Sequence, residues 1–417
     1  MSRAHCVVLA VLLLSGCATT GVSSRQEAAR RIEAVAPAVK ALQEARFEDA
    51  LRESSATLQQ DDGNATAHAV WAVAEFRQTL HEFYTEALTL TMGAVGSSFL
   101  RSGALSPRLV DFMLTETDRR LEVIDGHLAK AALDADFSLD LCLACWEVDW
   151  NHSGKVDERD WRLLQVEYDA QGKEFPQDDP RRTPTFHFDA ADISWLRAMI
   201  HFQRALLNGV LAYDLSSALE NIFERGGPSR PIVIKLRDKE RVHRARDLIL
   251  EGLKYSRLTR AQVLAETDDL NEWLPNPRQK SRPLPLSVDD SLFQTWEGVL
   301  SDMDGLLHSR QGLSVEALAQ LGDHRWNYPP QGFIDVGALL LEPGDIVLNL
   351  EQIDNIRGGP DADPAPVEAI LRDTLGKKYR PSMTPTPLLQ RLSRIKGEID
   401  RGEEGFERKL RYLLWLN

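Results

Sequence analysis

Apolar positions recur near a helical period over most of this chain. Between residues 25 and about 60, Ala28, Ile32, Val35, Val39 and Leu42 fall on one helical face. A longer helix is expected from His68 through Trp71, Phe76, Leu80, Phe83, Leu88 and Met92, weakened at its end by Gly93, Gly96, Ser97 and Ser98. Ser106-Pro107 opens another, with proline at the favoured first position, and it carries Leu109, Phe112, Met113, Leu121, Ile124 and Leu128. Leu139, Leu141, Cys142, Cys145, Trp146 and Val148 predict a further helix. After a polar break, Trp161, Leu163, Leu164, Val166 and Tyr168 predict the next. Gly172, Pro176, Pro180 and Pro184 make 172–186 a connection. Asp192 is then expected to cap a strongly apolar helix, Ile193 to Asp214, as long as a membrane span. Arg197, His201, Gln203, Arg204 and Asn208 inside it argue for a buried helix of a bundle instead.

Beyond Gly226-Gly227-Pro228 the pattern shortens. Pro231-Ile232-Val233-Ile234 reads as a strand, and Arg237 to Arg246 as a basic helix start. Pro275 to Pro285 is Pro-rich and marks the expected internal boundary. After Leu292 to Leu307, short apolar runs lie between Trp326-Asn327-Tyr328-Pro329-Pro330 and Glu342-Pro343-Gly344-Asp345 and suggest a small hairpin. Gly358-Gly359-Pro360 to Pro366 is a loop, and a last amphipathic helix is expected from Pro387 to Leu416.

The 417 residues are 43% hydrophobic and 27% charged, ordinary for a folded chain. The formal net charge of -14 argues against nucleic acid as a partner, since no basic excess exists to displace counterions from phosphate. The first residues change the picture further. Arg3 supplies a positive start, and Val7 to Leu14 an apolar run too short to span a bilayer. Leu14-Ser15-Gly16-Cys17 follows and resembles the lipobox of bacterial lipoproteins. That resemblance implies a signal peptide over 1–16, acyl chains on Cys17, a membrane anchor and a small polar tether over 17–24. Ala18 after the cysteine, rather than Asp, implies an outer-membrane destination in the Gram-negative pattern, facing the periplasm or the cell surface.

The chemistry is concentrated in Asp149-Trp150-Asn151-His152-Ser153-Gly154-Lys155-Val156-Asp157-Glu158-Arg159-Asp160. Oxygen-bearing side chains stand at loop positions one, three, five, nine and twelve, with Gly at six and an aliphatic residue at eight. This resembles the calcium loop of EF-hands. The resemblance implies side-chain oxygens from Asp149, Asn151 and Ser153, the carbonyl of Lys155, Asp157 directly or through water, and Asp160 closing the shell. Asp160 replaces the usual Glu, as in dockerin-type loops. The implied ligand is calcium, held with a dissociation constant of roughly 10⁻⁴ to 10⁻³ M. Helices are expected on both sides of the loop.

A second resemblance lies in Arg46-Phe47-Glu48-Asp49-Ala50-Leu51, Leu58, and Asp61-Asp62-Gly63-Asn64-Ala65-Thr66-Ala67, which is similar to the second helix and turn of a tetratricopeptide repeat. Thr57 stands where the repeat has Ala and Asp62 where it has Pro, and no second copy follows at the required period. The expected fold is therefore mostly α. A helical-hairpin, tetratricopeptide-like region covers 25–274 and contains the EF-hand-like loop. A linker over 275–286 and a mixed C-terminal segment over 287–417 complete it.

Two weaker clusters remain. Cys142-Leu143-Ala144-Cys145 has no partner pattern for haem or zinc, and buried thiols or a local disulfide account for it. His187, Asp189, Asp192 and His201 are catalytic residue types, but capping explains Asp192 and a core position explains His201. No HExxH, GxSxG or GxxxxGK motif occurs. The expectation is a lipid-anchored envelope scaffold with one calcium ion and a protein or envelope partner, not an enzyme. The alternatives are a calcium-responsive switch and an envelope enzyme built on His187, Asp189 and His201.

Overall fold

The computed structural model describes residues 29–95, 107–134, 137–146, 165–169, 173–214, 232–281, 283, 289–321, 329–348 and 363–400. The chain is mostly helical: eleven helices among the described residues pack on one another beside three small sheets. The helical period over 25–60 does not make one helix. Residues 29–43 form α1 and Phe47–Gln60 form α2, broken at Ala45, whose φ of 56° is left-handed. The Arg46 amide bonds to the Ala41 carbonyl and the Ala45 amide to the Leu42 carbonyl. That is the Schellman pattern, here closed without the usual glycine.

Asn64 opens α3 (Ala65–Val95) by accepting from the Ala67 amide, while its own amide group donates to the Arg31 carbonyl in α1. Pro107 begins α4 (Pro107–Ala131). Helices α2, α3 and α4 pack in succession, each on its sequence neighbour, and α4 packs on α5 (Ala190–Leu211). The most extensive helix pair is α5 with α6 (Lys239–Ala265). These two come close because Gly252 faces the Phe202 ring: a Cβ there would sit 2.6 Å from it. Gly252→Val is therefore expected to destabilise by about 1–3 kcal/mol through overpacking. A urea titration checks this, and an unchanged midpoint would show the pair to be loosely packed.

Four local expectations are corrected. Residues 139–146 do not form an α-helix: Leu139–Leu141 is strand β1, antiparallel to β2 (Phe186–Phe188), and Leu143–Cys145 is a single 3₁₀ turn. Leu139 and Leu141 are buried with Asp140 outward, a period of two. Residues 165–169, expected as an exiting helix, are extended; the Val166 amide donates to the Arg182 carbonyl and Phe175 to Glu167. The N-cap of α5 is Asp189, with Asp192 at the third helical position completing a capping box, and the helix ends at Leu211 because Tyr213–Asp214 turns into strand β3. The apolar runs near 333 and 346 do not form one hairpin.

Those runs enter two different sheets. β3 and β7 (Ile346–Leu348) flank β4 (Ile232–Leu236), the strand expected there; β6 (Phe333–Ile334) lies between β5 (Leu313–Ser314) and β8 (Tyr379–Arg380). The remaining helices are α7 (Asp290–Leu307), α8 (Val315–Leu321), α9 (Val336–Leu341), α10 (Ala365–Leu375) and α11 (Leu388–Asp400). The stretch of α11 expected beyond 400 lies outside the described residues.

One core runs from Val35 in α1 to Leu307 in α7, on both sides of the Pro-rich stretch. Within that stretch, the buried Asn276 side chain donates to the Val263 and Glu266 carbonyls at the end of α6. Across it, Trp296 in α7 donates to the Ser256 hydroxyl in α6 at 3.0 Å, and Arg260 donates to the Phe293 carbonyl. As the polar residues inside α5 lead one to expect, that helix is buried. No helix among the described residues is long and apolar enough to cross a membrane.

Candidate functional site

Asp149, Asn151, Ser153, Lys155, Asp157 and Asp160 all lie outside the described residues, as does Cys17. The chain is described up to Trp146 before the loop and again from residue 165 after it, and both stretches enter the core. Trp146 is 2% exposed and Val166 0%. The Trp146 ring meets the Phe47 ring of α2 edge-on at 5.2 Å, tying the incoming flank to the first helices. Before Trp146, Cys142 and Cys145 form a disulfide across the 3₁₀ turn. After Val166, Tyr168 bridges to Glu174, so the outgoing flank folds back as a short extended pair.

His201 stands apart from the other three catalytic-type residues. His187, in β2, holds Asp140 of β1 at 2.8 Å, and its backbone amide donates to the Asn271 carbonyl. Asp189 and Asp192 form a capping box: the Ala191 amide donates to Asp189, and the Asp189 amide to Asp192. His201 lies twelve residues along α5 from Asp189, about 18 Å at helical rise. There it stacks on Tyr255 and lies 3.6 Å from Asp125. Burial lowers the His201 pKa, which favours the neutral ring.

Two arrangements escape sequence reasoning because they join distant segments. The first is an acidic knot at the start of α5. Asp192 is 5% exposed and one of its oxygens has no hydrogen-bond partner. Burial, then the neighbouring Asp189, pushes its pKa well above the carboxylate range. Glu266, at the end of α6, is pushed up to about 9 by burial and then by Asp189 and Glu272. Glu272, buried, is raised to about 7 by burial, with His187 opposing the rise.

The second is a histidine pair between α3 and α4. His68 Nε2 lies 2.9 Å from the Asp62 carbonyl, which can only accept, so that nitrogen carries hydrogen. Its Nδ1 then accepts from His127 Nδ1 at 2.9 Å when His68 is neutral. The His127 ring stacks on Trp71 at 3.9 Å, and burial lowers its pKa to about 4. Among the described residues no group of three or more His, Cys, Asp or Glu is arranged to hold a metal ion. Comparison with family models, curated proteins and solved structures gives no match.

Proposed function

We propose that this chain is a lipid-anchored, calcium-stabilised interaction scaffold of the bacterial cell envelope, attached through Cys17 to an outer membrane. The observation that carries this reading is the spacing of oxygen donors from Asp149 to Asp160 around Gly154. Support comes from the nearest buried residues described on either side of the loop, Trp146 and Val166, which are fixed in the core. In this reading calcium closes the chain between Trp146 and Val166 and fixes its course. Helices α2, α3 and α4 pack each on its sequence neighbour; this reading takes them as a tetratricopeptide-like scaffold whose outer face is offered to a protein or envelope partner.

Calcium that binds only the folded loop raises stability by RT ln(1 + [Ca²⁺]/Kd), about 2.7 kcal/mol at a hundredfold excess over Kd. The melting temperature is therefore expected to rise with the logarithm of calcium concentration. Asp149→Ala and Asp160→Ala are expected to abolish that rise and leave the calcium-free protein helical. Identical melting curves with and without excess calcium would remove the ion from this proposal.

A further inference from the structure

We propose that the Cys142–Cys145 disulfide is a thiol–disulfide exchange site, with Cys145 the sulfur attacked by an external dithiol. A structural staple would constrain something the turn does not already constrain. Here the bridge spans a sequence separation of three, and a short closed loop removes little chain entropy. The turn is already closed by backbone, Cys145 amide to Cys142 carbonyl at 3.0 Å and Trp146 amide to Leu143 carbonyl at 3.2 Å. Its entrance is held by the pairing of Leu139 with Phe188 and Leu141 with Phe186, and its body by the buried Leu143, Ala144 and Trp146.

The two sulfurs stand in unlike surroundings. Cys145 is exposed on a turn whose neighbouring side chains point into the core, so a reagent reaches it from solvent. Cys142 is half-buried, with its Sγ 3.5 Å from the Thr183 carbonyl oxygen. That oxygen can only accept, and a disulfide sulfur has no hydrogen to offer it. Reduction supplies one: the Cys142 thiol donates to Thr183, a bond the oxidised form lacks. The other two cysteines of the chain, Cys6 and Cys17, belong to the N-terminal segment.

The step balances with a dithiol as co-reactant. Its thiolate attacks Cys145 Sγ, the Cys142–Cys145 bond breaks, and Cys142 leaves as thiolate and takes up a proton. The second thiol of the reagent, deprotonated, then attacks its own sulfur in the mixed disulfide and releases Cys145. The protein gains two electrons and two protons, and the reagent becomes a disulfide. This inference is independent of calcium.

The test uses the full chain without denaturant. Dithiothreitol followed by iodoacetamide and peptide mapping is expected to alkylate both Cys142 and Cys145 while the far-UV circular dichroism stays native. With glutathione disulfide, Cys142→Ser is expected to form the adduct at Cys145 at least roughly tenfold faster than Cys145→Ser forms it at Cys142. A bridge that opens only in denaturant, loss of helical signal on reduction, or equal rates for the two variants would each overturn the proposal.

Discussion

Arg204→Ala is expected to lower the unfolding free energy by about 3–5 kcal/mol, visible as a large drop in the urea midpoint. Arg204 is 4% exposed in the middle of α5, and its Nε donates to Asp118 of α4 at 2.9 Å. A terminal nitrogen lies 2.9 Å from Glu122, an ion pair without hydrogen-bond alignment. Asp118 is itself only 8% exposed, so truncating the arginine leaves a carboxylate in the interior with no counter-charge. The cost comes from that stranded charge more than from the lost attraction. Arg204→Met with Asp118→Leu is accordingly expected to recover most of the loss, because both charges go together. Losses that simply add across the two sites would show that the pair is not coupled.

Stability is expected to fall as pH rises from 6.5 to 9, by on the order of 1–3 kcal/mol. The sign follows from the acidic knot. Glu272 and Glu266 carry pKa values of about 7 and about 9 in the folded chain, above the ordinary 4.5, so the fold holds their protons more tightly than the unfolded chain does. That stabilisation is complete below about 4.5 and is lost as pH climbs through about 7 and then about 9. Asp192 acts in the same direction. Glu266 is half-buried and partly reached by water, which screens its charge and reduces the energetic effect of its shift. His127 has the opposite sign: its pKa of about 4 lies below the ordinary 6.5, so its contribution disappears as pH falls from 6.5 toward 4. Above 6.5 that term is flat and the carboxylates alone set the slope. Glu266→Gln and Glu272→Gln are each expected to flatten part of it in melts run across this range. A wild-type curve level from 6.5 to 9 would mean that both side chains ionise freely.

The long helices were legible because an amphipathic period repeated over six or seven turns overrides local ambiguity. On α5, Arg197, His201, Arg204 and Asn208 are spaced by four, three and four residues, one stripe on one face. On α4, Asp118, Glu122 and Asp125 have the matching spacing, and Arg197 meets Asp125 at 2.8 Å. Each stripe can be read in the sequence; that they face each other cannot, because only the packing brings them together. β1 was illegible for a different reason. Leu139 and Leu141 fit either period over three residues, and the choice is made by Phe186 and Phe188, far along the chain. Ala45 takes a left-handed turn with no glycine to announce it. The Asp189 and Asp192 carboxylates both cap, so naming one of them read half of a reciprocal pair. The oxygen spacing proposed for 149–160 is local in sequence, whereas Glu266 and Glu272 reach Asp192 only through the fold.

The Asn276 side chain, tucked against the last carbonyls of α6, makes the proline-rich stretch a clasp. Heat therefore meets no weak joint there: α6 and α7 share one interior, so the chain on either side of residue 280 should melt as a single cooperative body. A protease has correspondingly little to grip at Asn276 while that interior stands.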